Sequence, residues 1–434
     1  MSDRSLQRLH VAIPVLLAVG LLAMTLAWHL PMMLWDHLDL VPLLQAAEAG
    51  SLGREFWQLH GGHWHAAAYA LLLATAMLSA GQPWLDCLLS WMLLVAFALG
   101  VQRLAADART AAARSTDAPA ASAWWLLLPG LALYPGHLAN LQWGWQVAVF
   151  VCLLGVVVTL FALTRARLDW RHNGLALAAS LLALASFATA IALVPTVLVL
   201  LALRSDLSRR QRLLAALPWL LLAGLLAAYY ARLSLHAPSV AAGPGTLLVY
   251  VLNFLGAGIA RFATTLAPVL AAAALLLVLL RLPSALGRRH CLPWLGFMLF
   301  AGLAAVAVAF GRAGDYGAGH AFATRYVSFS SLFWLGFVGL LLDRDAGQPT
   351  PRWLQATLAG VLLFAVVNAV QMGARAARLA AEGHATAGAI RASYPQVDEA
   401  LLRAIYFDQP EIARERLQHL HERGYPPFAG VDLR

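Results

Sequence analysis

The chain consists of long apolar runs separated by short polar breaks, and this alternation continues from residue 11 to about residue 371. Several runs reach the roughly 20 apolar residues that a helix needs to cross the hydrocarbon core of a membrane. The pattern predicts an all-α, polytopic transmembrane protein with roughly 11 to 12 spans. The composition agrees, because 61% of the 434 residues are hydrophobic and only 12% are charged.

Clusters of arginine predict the side of the membrane that each break faces. Three breaks, at residues 165–171, 204–212 and 281–289, are rich in arginine, and two arginines precede the first apolar run at 11–33. Because cytoplasmic loops collect positive charge, we expect these breaks and the N-terminus in the cytoplasm. The polar loops then face the outside of the membrane. The lysine-free, alanine- and leucine-rich composition suggests a high-GC bacterial gene. We expect the chain in the bacterial cytoplasmic (inner) membrane.

The region between residues 65 and 164 does not give a consistent number of spans. Its four apolar segments, 65–81, 84–104, 123–137 and 146–164, make four crossings where the arginine pattern requires an odd number. We expect 65–81 to lie in the membrane interface or to re-enter, because it begins at a histidine and ends in Gly-Gln-Pro. Segment 246–260 raises a similar question.

The sequence divides into a transmembrane part and a short tail. We expect a transmembrane domain over 1–371 with an extracytoplasmic first loop at 34–64, followed by an extracytoplasmic helical tail over 372–434. The net charge of +9 lies mainly in the short breaks, where membrane orientation and anionic lipid headgroups explain it. Membrane lipid is therefore an expected partner, and nucleic acid is not.

Two aspartates in the first outer loop are the candidate catalytic residues. Asp36 and Asp39 share one face of a helical turn and precede an amphipathic run that ends at Gly50. A carboxylate at the edge of a low-dielectric region has a raised pKa and can accept a proton from an attacking hydroxyl. The alternative is that either aspartate caps the helix or marks the membrane border.

Three histidines follow in the same loop. His60 and His63 are candidate substrate-binding residues, since polar and aromatic side chains at this density suit a sugar pocket. The adjacent Gly61 and Gly62 give the histidines no fixed ligand geometry, so no metal ligands and no cofactor are predicted, and a divalent metal is not favoured. The three cysteines lack the spacing of a metal or disulfide motif and are expected to be small buried hydrophobic residues.

Residues 140–146 offer a second pocket wall. Gln142 and Gln146 supply hydrogen-bond donors and acceptors for hydroxyl groups, and the indole of Trp145 can stack on a sugar ring. The alternative is an interfacial aromatic belt.

Arginines at the outer edge of later helices run against the positive-inside trend. Arg312, Arg325 and the neighbouring Tyr326 lie between an outgoing and a returning helix, and Arg261 begins another helix on the same side. A phosphate group explains them, because guanidinium groups match phosphate oxygens. Snorkelling, or pairing with Asp315 and the acids of the tail, is the alternative.

The arrangement resembles the GT-C superfamily of integral membrane glycosyltransferases, as an uncharacterised bacterial subfamily. The shared features are a cytoplasmic N-terminus, a first helix, an acidic first outer loop with membrane-surface helices, and many further spans. The resemblance implies a sugar donor linked to polyprenyl phosphate, an inverting displacement outside the membrane, and Asp36 as catalytic base with Asp39 second. The chain departs from the superfamily in that its acids are interrupted as Asp-x-x-Asp and no acid occurs in 140–146.

Two other classes of protein remain open. A polytopic transporter or flippase would carry polar residues at mid-membrane depth and broken helices in symmetry-related halves. A non-enzymatic subunit of a surface-polysaccharide assembly system would use the outer polar groups as an interface. An enzyme, unlike either alternative, should lose activity when Asp36 is replaced by Asn.

Overall fold

The computed structural model describes residues 3–114, 123–232, 240–343 and 351–429. Its α-helices are α1 Asp3–Ala27, α2 Leu40–Glu48, α3 Leu52–Phe56, α4 Ala66–Ser79, α5 Trp84–Arg114, α6 Leu127–Ala132, α7 Leu138–Leu141, α8 Val147–Leu163, α9 Trp170–Leu184, α10 Leu193–Leu203, α11 Arg209–Arg232, α12 Pro244–Ala260, α13 Ala267–Ala285, α14 Leu292–Tyr316, α15 Thr324–Leu342, α16 Arg352–Ser393, α17 Glu399–Ile405 and α18 Pro410–Glu422. Short 3-10 helices cover Trp35–Asp39, Ala123–Leu126, Pro135–His137, Gly144–Gln146, Ala188–Ala192, Arg289–Cys291 and Ala318–Phe322. Two antiparallel two-residue strands, β1 Leu59–His60 and β2 His63–Trp64, pair Leu59 with Trp64 and His60 with His63.

The prediction of an all-α polytopic membrane protein is confirmed. In the described ranges, eight helical segments are long and apolar enough to cross a membrane, and three shorter apolar ones accompany them. The eight are Arg8–Ala27, Trp84–Thr110, Gly144–Leu163, Arg209–Arg232, Ala267–Ala285, Arg289–Tyr316, Thr324–Leu342 and Arg352–Ser393. The shorter ones are Ala66–Ser79, Ala188–Leu203 and Pro244–Ala260, which include both segments that the sequence left in question.

One end of the helix bundle, which we call the arginine end, collects the three arginine-rich breaks. The buried Arg204 guanidinium donates hydrogen bonds to the backbone carbonyl oxygens of Leu163 and Arg165. The positive charge of Arg289 acts on the Asp206 carboxylate, which itself pairs with Arg204. Breaks that the charge pattern predicts on one side of the membrane therefore lie together in the fold.

The opposite end, which we call the loop end, carries the first polar loop at 34–64. Helix α1 connects the two ends. His10, early in α1, lies 3.3 Å from Arg109 near the far end of α5. Just beyond α1, the Leu30 N–H donates to the Gln142 carbonyl oxygen over 2.9 Å.

Helix α4 begins and ends at the loop end. It starts after His65, and the first turn of the next helix carries Asp86, whose carboxylate lies 3.5 Å from His37 of the first loop. Between the loop end and the arginine end of the bundle, the chain then runs through α5, the segment 123–141 and α8. The number of membrane crossings and the placement of 65–81 stay predictions.

The segment 123–141 differs from the uniform span predicted over 123–137. It consists of short helical pieces, and the break between α6 and the next piece falls just before Pro135. Proline has no backbone N–H to donate and disfavours helical geometry in the residue before it, so the ladder of hydrogen bonds stops there.

The last long helix continues through the predicted boundary at residues 371 and 372. Helix α16 has 42 residues, which at 1.5 Å per residue is about 63 Å, roughly twice the hydrocarbon thickness of a bilayer. Its buried residues recur every three or four positions along its whole length, from Leu354 to Ile390. Helices α17 and α18 then fold back onto the loop end. The last five residues of the predicted tail lie outside the described ranges.

Helix α15 lies at the centre of the bundle and links the two ends. Nearly all of its residues are buried, and glycines allow its neighbours to come close. A Cβ on Gly339 would overlap the Trp294 ring of α14, and one on Gly258 of α12 would overlap the backbone at Ser330. This packing fixes Arg325 at the loop end and Asp343 at the arginine end.

Candidate functional site

The candidate site lies in the first loop, where two carboxylates surround one imidazole. The Asp36 carboxylate is 3.7 Å from His60 Nε2, and the Asp39 carboxylate is 3.4 Å from His60 Nδ1. All three side chains are about one-fifth exposed to solvent. A polar cluster that is half-enclosed in this way is open to a ligand.

Local geometry explains how the loop forms this cluster. Asp36 and Asp39 lie on the 3-10 helix Trp35–Asp39, which leads directly into the amphipathic α2, as the sequence predicts. His60 lies on the two-residue hairpin, whose turn uses Gly61 and Gly62 at φ values of 56° and 85°. Residues with side chains rarely adopt these angles, so the glycines that argued against a fixed geometry are what allow the tight turn.

The predicted wall at 140–146 lies beneath the histidines. Trp145 is buried, stacks on His65 with ring centroids 4.8 Å apart, and has its ring 4.9 Å from the His60 ring. It supports the cluster from behind and offers little free face for stacking. Both polar atoms of the Gln142 side-chain amide are buried with no partner among the described residues. The side-chain oxygen of Gln146 is buried without a partner in the same way. Buried polar atoms without partners favour binding of water or of a ligand that carries hydroxyl groups.

A second buried pair supports the loop from the opposite side. His37 is fully buried, and its Nε2 lies 3.5 Å from the Asp86 carboxylate, which also accepts a hydrogen bond from Thr75. Gly144 fits between them, because a Cβ there would lie 2.7 Å from both His37 and Asp86. Burial lowers the pKa of His37 to about 3, so its ring is neutral at neutral pH.

The segment 312–325, which we call the arginine loop, runs from the end of α14 to the start of α15 beside the cluster. Both Arg312 and Arg325 act electrostatically on the Asp36 carboxylate, and Arg312 acts also on His63. Neither arginine forms an ion pair with a carboxylate among the described residues, which argues against the alternative of pairing with Asp315 or the tail. Their guanidinium groups lie against the rings of Tyr316 and Tyr326 instead.

His320 completes this side of the site, and the sequence analysis did not select it. Its Nε2 lies 3.4 Å from Arg325, and its Nδ1 lies 3.0 Å from the Tyr250 hydroxyl. Burial and the two arginines lower the pKa of His320 to about 4. A histidine between two arginines in the sequence was a readable signal for an anion site.

Arg261 contacts the same loop but has a different charged neighbour. Its Nε donates to the Phe322 carbonyl oxygen over 2.8 Å, and its backbone N–H donates to Asn368 over 3.1 Å. Burial, with a smaller contribution from Arg375, lowers the pKa of Arg261 to about 10. Arg261 therefore remains charged at neutral pH and fixes the end of α12 to the loop.

Burial and charge give Asp36 a raised pKa. Desolvation is the largest cause, and the neighbouring Asp39 raises the pKa further, while His60, Arg325 and Arg312 lower it. Burial lowers the pKa of His63 to about 4, and that of His65 falls well below its usual range for the same reason. The loop thus combines neutral imidazoles with one carboxyl group that holds its proton more tightly than usual.

The C-terminal segment binds the second aspartate. Asp39 accepts hydrogen bonds from Arg416 over 2.5 Å and from the Tyr406 hydroxyl over 2.6 Å. The Trp35 indole N–H donates to the Ala404 carbonyl oxygen over 3.3 Å. All three of these contacts to the first loop therefore come from residues more than 360 positions away in the chain.

The three residues of the cluster are also spaced like a set of metal ligands. One ligand atom from each of Asp36, Asp39 and His60 lies within 4.8 Å of the others. The sequence predicts no fixed ligand geometry for the three histidines of the loop, whereas the structure combines one histidine with two carboxylates. This donor set fits a hard divalent cation, and the absence of a metal stays a prediction.

An apolar cavity of about 450 Å³ runs along the transmembrane part, between α1, the segment 123–135 and α16. Tyr134 lines it and lies 3.5 Å from Asn368, which in turn binds Arg261. A chain of contacts therefore connects the cavity to the arginine loop. The other lining residues are Ile13, Leu17, Ala123, Trp124, Leu126, Leu127, Gly130, Leu131, Pro135, Leu362, Ala365, Val366 and Ala369.

No protein-family model, curated protein or solved structure matches the chain. The resemblance to the GT-C superfamily therefore rests on the arrangement of the loop, the aspartates and the spans. A function for the chain therefore has to be inferred from the chemistry of the site.

Proposed function

We propose that the protein is a membrane glycosyltransferase of GT-C type. In this proposal it moves a sugar from a polyprenyl-phosphate donor to a glycan, lipid or protein acceptor outside the cytoplasmic membrane. One observation carries the proposal: Asp36, a partly buried carboxylate of the first-loop cluster, lies within electrostatic range of two arginines that have no carboxylate partner among the described residues. A base and an anion site at one membrane-border pocket are what this transfer requires.

The chemistry is a single inverting displacement. Asp36 accepts the proton of the acceptor hydroxyl as its oxygen forms a bond to the anomeric carbon. The bond from that carbon to the phosphate oxygen breaks on the opposite side, and its electron pair leaves with polyprenyl phosphate. Arg312 and Arg325 stabilise the negative charge that grows on the phosphate, and the neutral His320, whose Nε2 accepts from Arg325, orients that arginine.

The apolar cavity suits the lipid part of the donor. Its lining is almost entirely aliphatic and aromatic, and its Tyr134 end is connected to the arginine loop through Asn368 and Arg261. A polyprenyl chain in this cavity would have its phosphate directed towards the arginines. In this proposal the buried amide group of Gln142 and the side-chain oxygen of Gln146 bind sugar hydroxyls.

A comparison in the native host tests the proposal. Lipid-linked sugars and surface glycoconjugates are measured by mass spectrometry in a deletion strain carrying the wild-type chain, Asp36→Asn, Asp169→Asn or nothing. Asp169 caps α9, and since Asn caps equally well it is a matched control. We expect a sugar to accumulate on polyprenyl phosphate, with its product missing, in the deletion and Asp36→Asn strains only.

The same comparison distinguishes the competing classes. A flippase or an assembly subunit would tolerate Asp36→Asn at equal expression, so full rescue by that variant contradicts the proposal. Loss of the product in the Asp169→Asn strain as well would mean that the effect is not specific to the site.

A further inference from the structure

A second cluster of ligating side chains lies at the arginine end, remote from the candidate site. His290 and Cys291 immediately precede α14, and Asp343 immediately follows α15. One ligand atom from each lies within 4.8 Å of the others, and His290 Nε2 is 3.0 Å from an Asp343 oxygen. Helices α14 and α15 are antiparallel neighbours, so the cluster joins the start of one to the end of the other.

The Asp343 carboxylate is buried with few polar partners. Its side chain is 1% exposed, and neither of its oxygens accepts a hydrogen bond from an N–H or O–H group of a described residue, although the Cys291 thiol lies beside it. The contact with His290 is close, but its orientation does not form a hydrogen bond. A buried carboxylate without such partners is costly, and a bound cation removes that cost.

The two neighbouring arginines have other contacts. Arg288 donates through Nε to the Ser284 carbonyl oxygen over 2.6 Å, and the charge of Arg289 acts on Asp206. Neither of these contacts involves Asp343.

We propose that His290, Cys291 and Asp343 form a metal site for a borderline-soft divalent cation, best represented by Zn²⁺. An imidazole nitrogen, a thiolate and a carboxylate are all zinc ligands, and the two negative charges balance the metal. Tetrahedral zinc places its ligand atoms about 3.3 to 3.7 Å apart, so the observed separations need only small side-chain rotations. Three protein ligands leave one position for water or another ligand.

A bound metal at this place stabilises the bundle. It fastens the arginine ends of α14 and α15, the same two helices whose opposite ends carry Arg312 and Arg325. The proposal is independent of the glycosyltransferase assignment, because it rests on a different cluster and is tested by metal binding alone.

Cobalt substitution tests the site on the full chain, purified in detergent and stripped with a chelator. Bound Co²⁺ with a thiolate ligand gives a sulfur-to-cobalt charge-transfer band, which a site made only of nitrogen and oxygen ligands cannot give. We expect the band in the wild-type chain, displacement by one equivalent of Zn²⁺, and loss of the band in Cys291→Ser. Cys152→Ser, a buried cysteine in α8, is the matched control and should keep the band.

A second variant and a second measurement make the test independent of one substitution. His290→Ala, at a partly exposed position, should weaken Zn²⁺ binding by at least about tenfold, and Zn²⁺ should raise the melting temperature of the wild-type chain but not of Cys291→Ser. Absence of the charge-transfer band in the folded wild-type chain, or its persistence in Cys291→Ser, would overturn the proposal. Zinc bound only at Asp36, Asp39 and His60 would give no such band and counts as the same negative result.

Discussion

At the scale of single residues, two aspartates three positions apart have different surroundings. Asp39 is fixed by Arg416 and Tyr406, whereas Asp36 has only His60 within ion-pair distance among the described residues. Asp36 is thus the residue able to take a proton, and Asp39 is a positioning residue. The sequence predicted both aspartates from their place after the first helix, but it held no signal for Arg416, because that contact depends on the folded tail.

The raised pKa of Asp36 predicts the acid limb of the pH–rate profile. A general base acts in its ionised form, so kcat/KM should rise with pH through the Asp36 pKa, above the usual carboxyl range. Asp39 raises that pKa and Arg325 lowers it. Asp39→Asn should therefore move the limb to lower pH, and Arg325→Gln should move it to higher pH. Shifts in the same direction for both variants would contradict this assignment.

Arg325 is expected to act on the leaving phosphate. Removing one preorganised donor to a developing charge costs about 100-fold or more in rate, so Arg325→Gln should lower kcat/KM by about that factor. Arg325→Lys should recover part of the loss, since it keeps the charge but not the planar fork. The exposed Arg403→Gln in α17 is the control, and the readout is release of polyprenyl phosphate. Equal rates for Arg325→Gln and the control would remove Arg325 from the mechanism.

At the scale of elements, the first loop is held by parts that only the fold brings together. The sequence predicted α2 and the adjacent acidic turn, because their pattern is local. It did not predict that His37 would pair with Asp86 across Gly144, since these residues lie in three separate segments. It also expected Trp145 to be a pocket face, whereas packing places it under His60 and His65.

Gly144→Ala tests whether this support matters. The added methyl group has to displace His37 and Asp86, and overpacking of this kind costs about 1 to 3 kcal/mol. We expect a lower melting temperature, measured by differential scanning fluorimetry, together with a lower rate of sugar transfer. Gly174→Ala in α9 is the matched control, because nothing lies within 4 Å of its added Cβ and alanine favours helix. A destabilisation no larger than that of the control would refute the proposed support.

At the scale of the whole molecule, the apolar pattern predicted the class of fold and most helix positions. It predicted an interfacial or re-entrant segment at 65–81, where the structure has the short helix α4. It did not predict the break inside 123–141 or the continuation of α16 beyond residue 371. Amphipathic periodicity in α16 continues into the polar tail, so hydropathy changes there while the helix does not.

The tail is expected to hold the first loop in its active arrangement. Arg416→Gln removes the ion pair to Asp39 and should increase hydrogen exchange in residues 34–60 and 399–422. Because it also removes one hydrogen bond between charged groups, we expect the transfer rate to fall about tenfold. Arg414→Gln, on the same helix but exposed, is the control and should leave both unchanged. Unaltered exchange in Arg416→Gln would show that the tail does not restrain the loop.

The most direct test of the account is transfer by the purified protein. Wild-type chain and Asp36→Asn are incubated in detergent with a panel of polyprenyl-phosphate sugars and an extract of the host's acceptors, and released polyprenyl phosphate is measured by mass spectrometry. The fold favours protonated Asp36, so ionisation at neutral pH costs stability and the Asn variant should melt no lower than the wild type. The account predicts release from one donor by the wild type and a loss of about 100-fold or more in the folded variant. Equal release by both proteins, or none by the wild type with any donor, would contradict it.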